Sequence, residues 1–238
     1  MRTYIIVPTY NEAENLPNLL NDIFALPVEV CVINVDDGSP DGTGDIAEKW
    51  VAAHPGRMEA VHRPGKLGLG TAYVAGFHRA FELGAEAVLT MDADFSHNPR
   101  YIPAMIAKGE AADLVIGSRY VPGGDMLYCP WYRKVLSGGA NLIARFALGL
   151  EARDTTAGFR LYRRPVLESI DLDSIFSSGY SFLIEMLYLV QRKGWRMAEV
   201  PIVYEDRMAG QTKISRAEIM RALYTVARLS ARRFIKRR

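Results

Sequence analysis

Residues 87–94 read Ala-Val-Leu-Thr-Met-Asp-Ala-Asp. A short apolar run that ends abruptly in two carboxylates predicts a strand buried on both faces over Ala87–Met91, with Asp92 and Asp94 at its carboxyl end. The same grammar repeats on either side. Tyr4–Val7 is an apolar run closed by Pro8 and followed by Thr9-Tyr10-Asn11-Glu12. Val28–Val35 is another, ended by Asp36-Asp37-Gly38-Ser39-Pro40. Met58–His62 and Leu114–Gly117 supply two more strands. Between them lie helical segments. Asn11 and Glu14 suit a helix start before Leu16, Leu19, Leu20 and Ile23, which recur at helical spacing. Thr43–Ala53, Gly70–Gly84 and Pro99–Lys108 follow, and Ala72, Ala75, Gly76 and Ala80 in the second of these are small enough for close packing.

Strands alternating with helices predict a mostly parallel, Rossmann-like α/β sheet with right-handed crossovers. In such sheets ligands bind beyond the carboxyl ends of the strands. The three polar clusters, Thr9–Glu12, Asp36-Asp37 and Asp92/Asp94, all fall at those ends and are expected to form one site. The second half is less regular. Leu142–Leu150, Ser181–Arg192 and Ile214–Phe234 read as helices, the last amphipathic, and Glu199–Tyr204 as a strand. With 238 residues, 49% of them hydrophobic, the chain suffices for one α/β domain. Residues 1–120 form its ligand-binding half and 121–238 a second half.

The net charge of +2 gives no reason to expect nucleic acid. The charge is uneven, however: Glu205–Arg238 carries ten Lys and Arg against three Asp and Glu. A basic arm on an acidic body suits an anionic surface or ligand, and equally a solvated helix end. Cys31 lies in an apolar run and is expected as a buried thiol; no Cys/His spacing suggests zinc. There is no signal-peptide pattern and no apolar stretch of the ~18–20 residues that span a bilayer. The expectation is a cytoplasmic protein with at most peripheral membrane contact.

Asp92-Ala93-Asp94 places two hard oxygen donors where Mg²⁺ or Mn²⁺ would share them with substrate phosphates; capping of the next turn is the other reading. Of Asp36 and Asp37, one is expected to bind ligand and one to cap the turn. Tyr10 suits stacking on a base and Glu12 suits accepting hydrogen bonds from it, while Asn11 suits a helix cap. Gly65–Gly70 is neither a Walker A loop nor a dinucleotide fingerprint. It reads either as a loop flanking the ligand or as a turn that starts a helix. Arg119, Arg133, Lys134, Arg207 and Lys213 form the basic complement, suited to phosphate or to the surface.

Taken in order, Val7–Glu12, Val35–Thr43, Met91–Asp94 and Gly117–Tyr120 resemble the inverting family 2 glycosyltransferases of the GT-A fold. Lys66–Tyr73, Asp154–Arg160 and Glu199–Ile202 with Asp206-Arg207 are similar to the dolichol- or polyprenol-phosphate mannose synthases. The likeness runs over roughly residues 3 to 225. It implies GDP-mannose as donor and a polyprenyl (dolichyl-type) monophosphate as acceptor. It also implies a nucleoside held by Pro8, Tyr10, Glu12, Val35 and Asp37, with Ala93 lining the pocket. Asp92 and Asp94 would serve the metal and diphosphate, with Ser96, where some members have Gln, as the candidate third ligand. Arg207 and Lys213 would hold donor phosphates, and Arg119, Arg133 and Ser137 the acceptor phosphate. Asp94, Arg119, Arg207 and Lys213 are thus the expected catalytic set, and Asp154 the candidate if a general base is used. Gly138 stands where an Arg is common. Some members carry C-terminal transmembrane helices; the resemblance here is to the short type, which relies on surface binding or a separate membrane subunit. UDP-glucose or another nucleotide-sugar is the alternative donor, and a non-catalytic nucleotide-sugar binder the alternative class.

Overall fold

The computed structural model describes residues 1–205 and 216–235. Along the chain run β1 (Thr3–Thr9), α1 (Leu16–Phe24), β2 (Cys31–Asp36), α2 (Thr43–Ala53), β3 (Met58–His62), α3 (Leu69–Glu82), β4 (Ala87–Thr90), α4 (Ile102–Lys108), β5 (Leu114–Ser118) and β6 (Asp125–Leu127). They are followed by α5 (Trp131–Leu148), β7 (Arg160–Arg163), α6 (Arg164–Glu168), α7 (Tyr180–Arg192), β8 (Met197–Pro201), β9 (Val203–Glu205) and α8 (Arg216–Ile235).

Seven strands form the main sheet in the order β3-β2-β1-β4-β7-β5-β8. Every pairing in it is parallel except those of β7, which runs antiparallel between β4 and β5. The mostly parallel sheet matches the sequence expectation; β7 does not appear in it. Its Arg160 and Arg163 break the apolar pattern that marks the other strands. Glu199–Tyr204 also divides, into β8 on the main sheet and β9 paired with β6. The α5 helix begins at Trp131, well before the expected Leu142.

Period-two alternation sends each strand's side chains to two cores. On one face Ile5, Val7, Val32 and Leu89 pack with Leu16, Leu19, Leu20 and Ile23 of α1 and Met105 of α4. On the other, Tyr4, Ile6, Ile33 and Val88 pack with Tyr73 and Phe77 of α3, Leu187 of α7 and Leu229 of α8. Gly76 permits a close approach: a Cβ there would sit 2.6 Å from the Ile6 side chain. The absent side chain therefore lets α3 lie directly on β1. Cys31 is buried, and it forms no disulfide with Cys129.

Candidate active site

β2, β1 and β4 are adjacent, so the loops leaving their carboxyl ends converge. Thr9 and Asp36 are register partners, and the Asp37 N–H donates to the Thr9 carbonyl at 3.0 Å. The two adjacent aspartates divide their work. Asp36 accepts from the Thr9 hydroxyl at 3.1 Å, and from the Ser39 N–H at 3.0 Å and the Ser39 hydroxyl. It holds the turn. Asp37 instead meets Arg63 at 2.7 Å, and each side chain is 9% exposed. Burial raises the Asp37 pKa by more than Arg63 lowers it.

Arg63 also donates to the Thr71 hydroxyl at 2.6 Å, and the Lys66 ammonium lies 4.5 Å from the centre of the Tyr10 ring. Both readings of Gly65–Gly70 therefore hold: it starts α3 at Leu69 and brings a cation to Tyr10. Nothing in the sequence singles out Arg63, which lies just after β3 and is tied to Asp37 only by the fold. Glu12 is buried; its N–H donates to the Thr43 hydroxyl and its carboxylate accepts from the Asn15 amide at 2.7 Å. Asn11 does not cap α1. It sits at φ 57° with its N–H donating to Ser39, and the helix begins only at Leu16. Pro8 and Tyr10 are part-exposed beside this cluster, but Val35 is fully enclosed in the core. Its expected contact with a nucleoside is not available; it forms the layer beneath.

Asp92 and Asp94 stand past the end of β4. Asp92 accepts from the Tyr73 hydroxyl at 3.2 Å, and its N–H donates to His97 Nδ1 at 3.0 Å. The His97 ring is buried and stacked on Phe159, so it serves as a brace. The Asp92 side chain is 33% exposed. Phe95 adopts φ 61°, a strained turn of the kind found at functional sites. That turn returns the Ser96 N–H and hydroxyl to the same oxygen of Asp94. Ser96 is itself buried. It positions Asp94, a role that differs from the ligand expected of it. Ala93 is buried between the two acids.

On the far side, Arg119 does not present a free guanidinium. Its Nε and Nη2 donate to the two oxygens of Asp154, each at 2.8 Å, its N–H to the same carboxylate at 3.1 Å, and Nη2 also to Thr156 at 2.9 Å. Its guanidinium lies 5.4 Å from the ring centres of both Tyr120 and Tyr204. Burial raises the Asp154 pKa, but the charge and hydrogen bonds of Arg119 outweigh it and hold the carboxyl below its ordinary value. In this structure the Asp154 carboxylate is fully enclosed and spends both oxygens on holding Arg119. Tyr204, another residue the sequence does not single out, closes this side. Burial, with Asp94 and Asp92 nearby, pushes its phenol up to about 12.

Ser137 shares a hydrogen bond with the Tyr120 hydroxyl at 2.8 Å. Arg133 lies in the first turn of α5. Arg207 and Lys213 fall outside the described residues. The tertiary structure thus unites Asp37, Asp92 and Asp94 along one sheet edge and pairs Arg119 with Asp154.

Residues 4–171 match the glycosyl transferase family 2. The chain belongs to this family. Across nearly its whole length, this family 2 glycosyltransferase is similar to two curated proteins. One is the polyprenol monophosphomannose synthase of Mycolicibacterium smegmatis, 45% identical over 95% of this chain and 86% of that one. The other is the undecaprenyl-phosphate mannosyltransferase of Micrococcus luteus, 45% identical over 96% and 93%. Among solved structures it resembles glucosyl-3-phosphoglycerate synthase from Mycobacterium tuberculosis. The complex with Mn²⁺, UDP and glucosyl-3-phosphoglycerate superposes with a TM-score of 0.71, covering 97% of this chain and 80% of that one at 19% identity. A complex of the same protein with Mg²⁺ and UDP gives 0.71 at 19% identity, covering 97% and 79%. At that identity the likeness establishes the GT-A fold.

Proposed function

We propose that this glycosyltransferase transfers mannose from GDP-mannose to a polyprenyl monophosphate, with inversion at the sugar carbon. The observation that carries the reading is the line of acids along the β2–β1–β4 edge, read together with the names of the relatives that share 45% of the sequence. Two curated relatives named for mannosyl transfer to a polyprenyl phosphate favour that acceptor over a sugar hydroxyl.

Tyr10, Glu12, Asp37, Arg63 and Lys66 would hold the nucleoside. Guanine carries adjacent N–H donors on one edge, which suit a carboxylate acceptor. Asp92 and Asp94 fit a divalent cation: their oxygens are hard donors, Asp92 is open to the cleft, and Tyr73 and Ser96 fix their orientation. The Mn²⁺ and Mg²⁺ complexes of the structural relative support such a metal. When bound, it would supply charge neutralisation for the departing diphosphate. Arg207 and Lys213 are proposed to add fixed positive charge there. An acceptor phosphate is already anionic near neutral pH, so the residues need only align it opposite the leaving group. This agrees with the enclosed, ionised state of Asp154. Arg133 and Ser137 remain the proposed acceptor contacts, and Arg119 acts by holding Asp154 and Tyr204.

Among the described residues no helix is long and apolar enough to cross a membrane. Yet α5 exposes Trp131, Val135, Leu136, Ile143 and Phe146, and α8 exposes Met220, Leu223 and Tyr224. Apolar surface on this scale suits a bilayer interface beside a lipid substrate. A separate membrane subunit seated on the same helices is the other occupant. The deciding experiment offers GDP-mannose, UDP-glucose and other donors with Mg²⁺ or Mn²⁺ and a polyprenyl phosphate. Labelled lipid is expected from GDP-mannose; transfer only from another donor, or none, refutes the assignment.

A further inference from the structure

A cavity of about 310 Å³ opens between α5 and the chain that carries Arg153. Tyr120, Gly138, Asn141, Leu142, Arg145 and Arg153 line it. Its volume lies at the lower end of the ~300–1,000 Å³ typical of small-ligand sites. Asn141 serves as its strut. The Asn141 carbonyl oxygen accepts from the Thr155 N–H at 2.8 Å and from the Thr155 hydroxyl at 2.6 Å, and its amide donates to the Arg153 carbonyl. These bonds tie residues 153–155 to α5 and fix the spacing of the two walls.

The walls carry two positive charges. Arg145 donates through Nε to the Leu150 carbonyl at 3.3 Å, leaving its Nη groups for other acceptors. The Arg153 N–H is accepted by Glu199 at 2.9 Å, but its guanidinium is not paired in this way. Among the described residues, neither guanidinium forms an ion pair with a carboxylate. Gly138 borders open space: a Cβ there would meet nothing within 4 Å, so a longer side chain has room to enter it. Two unneutralised guanidinium forks on a concave polar wall suit a tetrahedral oxyanion better than any neutral ligand. Ile143 and Phe146, both exposed, lie on the same helix.

We propose that this cavity is a phosphate-binding subsite centred on Arg145 and Arg153, which borders the acceptor position proposed for Ser137 through the shared Tyr120. Arg145 and Arg153 form its recognition pair, and its place beside the exposed face of α5 suits a phosphate that arrives either free or on a lipid headgroup. The proposal does not depend on which sugar is transferred, since its readout is binding in the absence of donor.

The test uses the full chain and two probes: inorganic phosphate by calorimetry, and flotation with phosphatidylcholine vesicles with and without phosphatidylglycerol. Arg153→Gln removes one recognition group at an exposed position. Gly138→Leu plugs the cavity without changing charge and replaces a helical glycine with a better helix former. Arg192→Gln, at the exposed end of α7, is the charge control. Both test variants are expected to weaken binding of at least one probe about tenfold, with the control unchanged. Loss confined to phosphate identifies a soluble anion, and loss confined to phosphatidylglycerol vesicles a headgroup. If the wild type binds neither probe, or if Gly138→Leu binds like the wild type, or if the control falls with Arg153→Gln, diffuse surface charge explains the arginines and the proposal is overturned.

Discussion

Arg119 and Asp154 face each other fork to fork, with both guanidinium contacts at 2.8 Å and the carboxylate fully enclosed. A residue that reads in the sequence as a phosphate ligand is therefore half of a buried ion pair. Removing either partner strands a charge. Arg119→Met is expected to lower stability by about 3–5 kcal/mol, and pairing it with Asp154→Leu to recover much of that loss. Denaturant unfolding of the two single variants and the double measures the coupling, and strict additivity would refute it.

The same pair sets an acid limit. The folded pKa of Asp154 lies below its unfolded value, so on acidification the unfolded chain takes up this proton first. Its contribution to stability is full above the unfolded value, about 3.9, and fades as pH falls through the folded one. Acid unfolding of the wild type should accordingly steepen below about pH 4 relative to Arg119→Met/Asp154→Leu. Identical acid limbs in the two proteins would count against it.

Asp94→Asn keeps the shape of the turn at Phe95 but removes a charge from the acidic pair. Turnover is expected to fall by at least about a hundredfold, and the metal needed for half-activity to rise. A metal titration of initial rates gives both numbers. Retained, metal-dependent turnover at the wild-type rate would place the cation elsewhere.

Asp37→Asn and Arg63→Gln should act on donor binding. Each breaks the buried pair at the proposed nucleoside end while leaving Asp92 and Asp94 intact. The expected signature is a rise of about tenfold in donor KM with kcat within about twofold. A selective loss of kcat would move this pair into the chemical step.

Gly76→Ala tests the packing beneath the site. Its new methyl group would lie 2.6 Å from the Ile6 side chain, so either Ile6 or α3 must shift, with an expected loss of about 1–3 kcal/mol. An unchanged midpoint in urea would mean that the layer can relax.

At the membrane, Val135→Glu and Phe146→Glu, both on exposed parts of α5, are expected to abolish vesicle flotation while donor-dependent chemistry on a short soluble acceptor persists. Trimming Arg232–Arg238 should weaken flotation only on anionic vesicles. Flotation that survives the α5 changes would remove this helix from the interface.

The strand-helix alternation through Ser118, the parallel sheet and the grouping of Thr9–Glu12, Asp36-Asp37 and Asp92/Asp94 were all legible in the sequence, because buried strands and helix faces leave local periodic signatures. β7 left none. Its Arg160 is fully buried, donating to the carbonyls of Leu183 and Thr155, so a charged residue occupies a core position that pattern alone assigns to the surface. The site divided along the same line. That acids cluster at strand ends follows from chain order, but which acid meets a distant cation does not. Asp36 and Asp37 are neighbours in sequence; the brace from Asp36 to Ser39 is local, three residues on, while only the fold brings Arg63, 26 residues away, to Asp37. Likewise Arg119 and Asp154 are far apart along the chain, and their meeting depends on β5 and the loop before β7 lying side by side. Local periodicity is written in neighbouring residues; the partner of a charge is chosen by distances that only the tertiary fold sets.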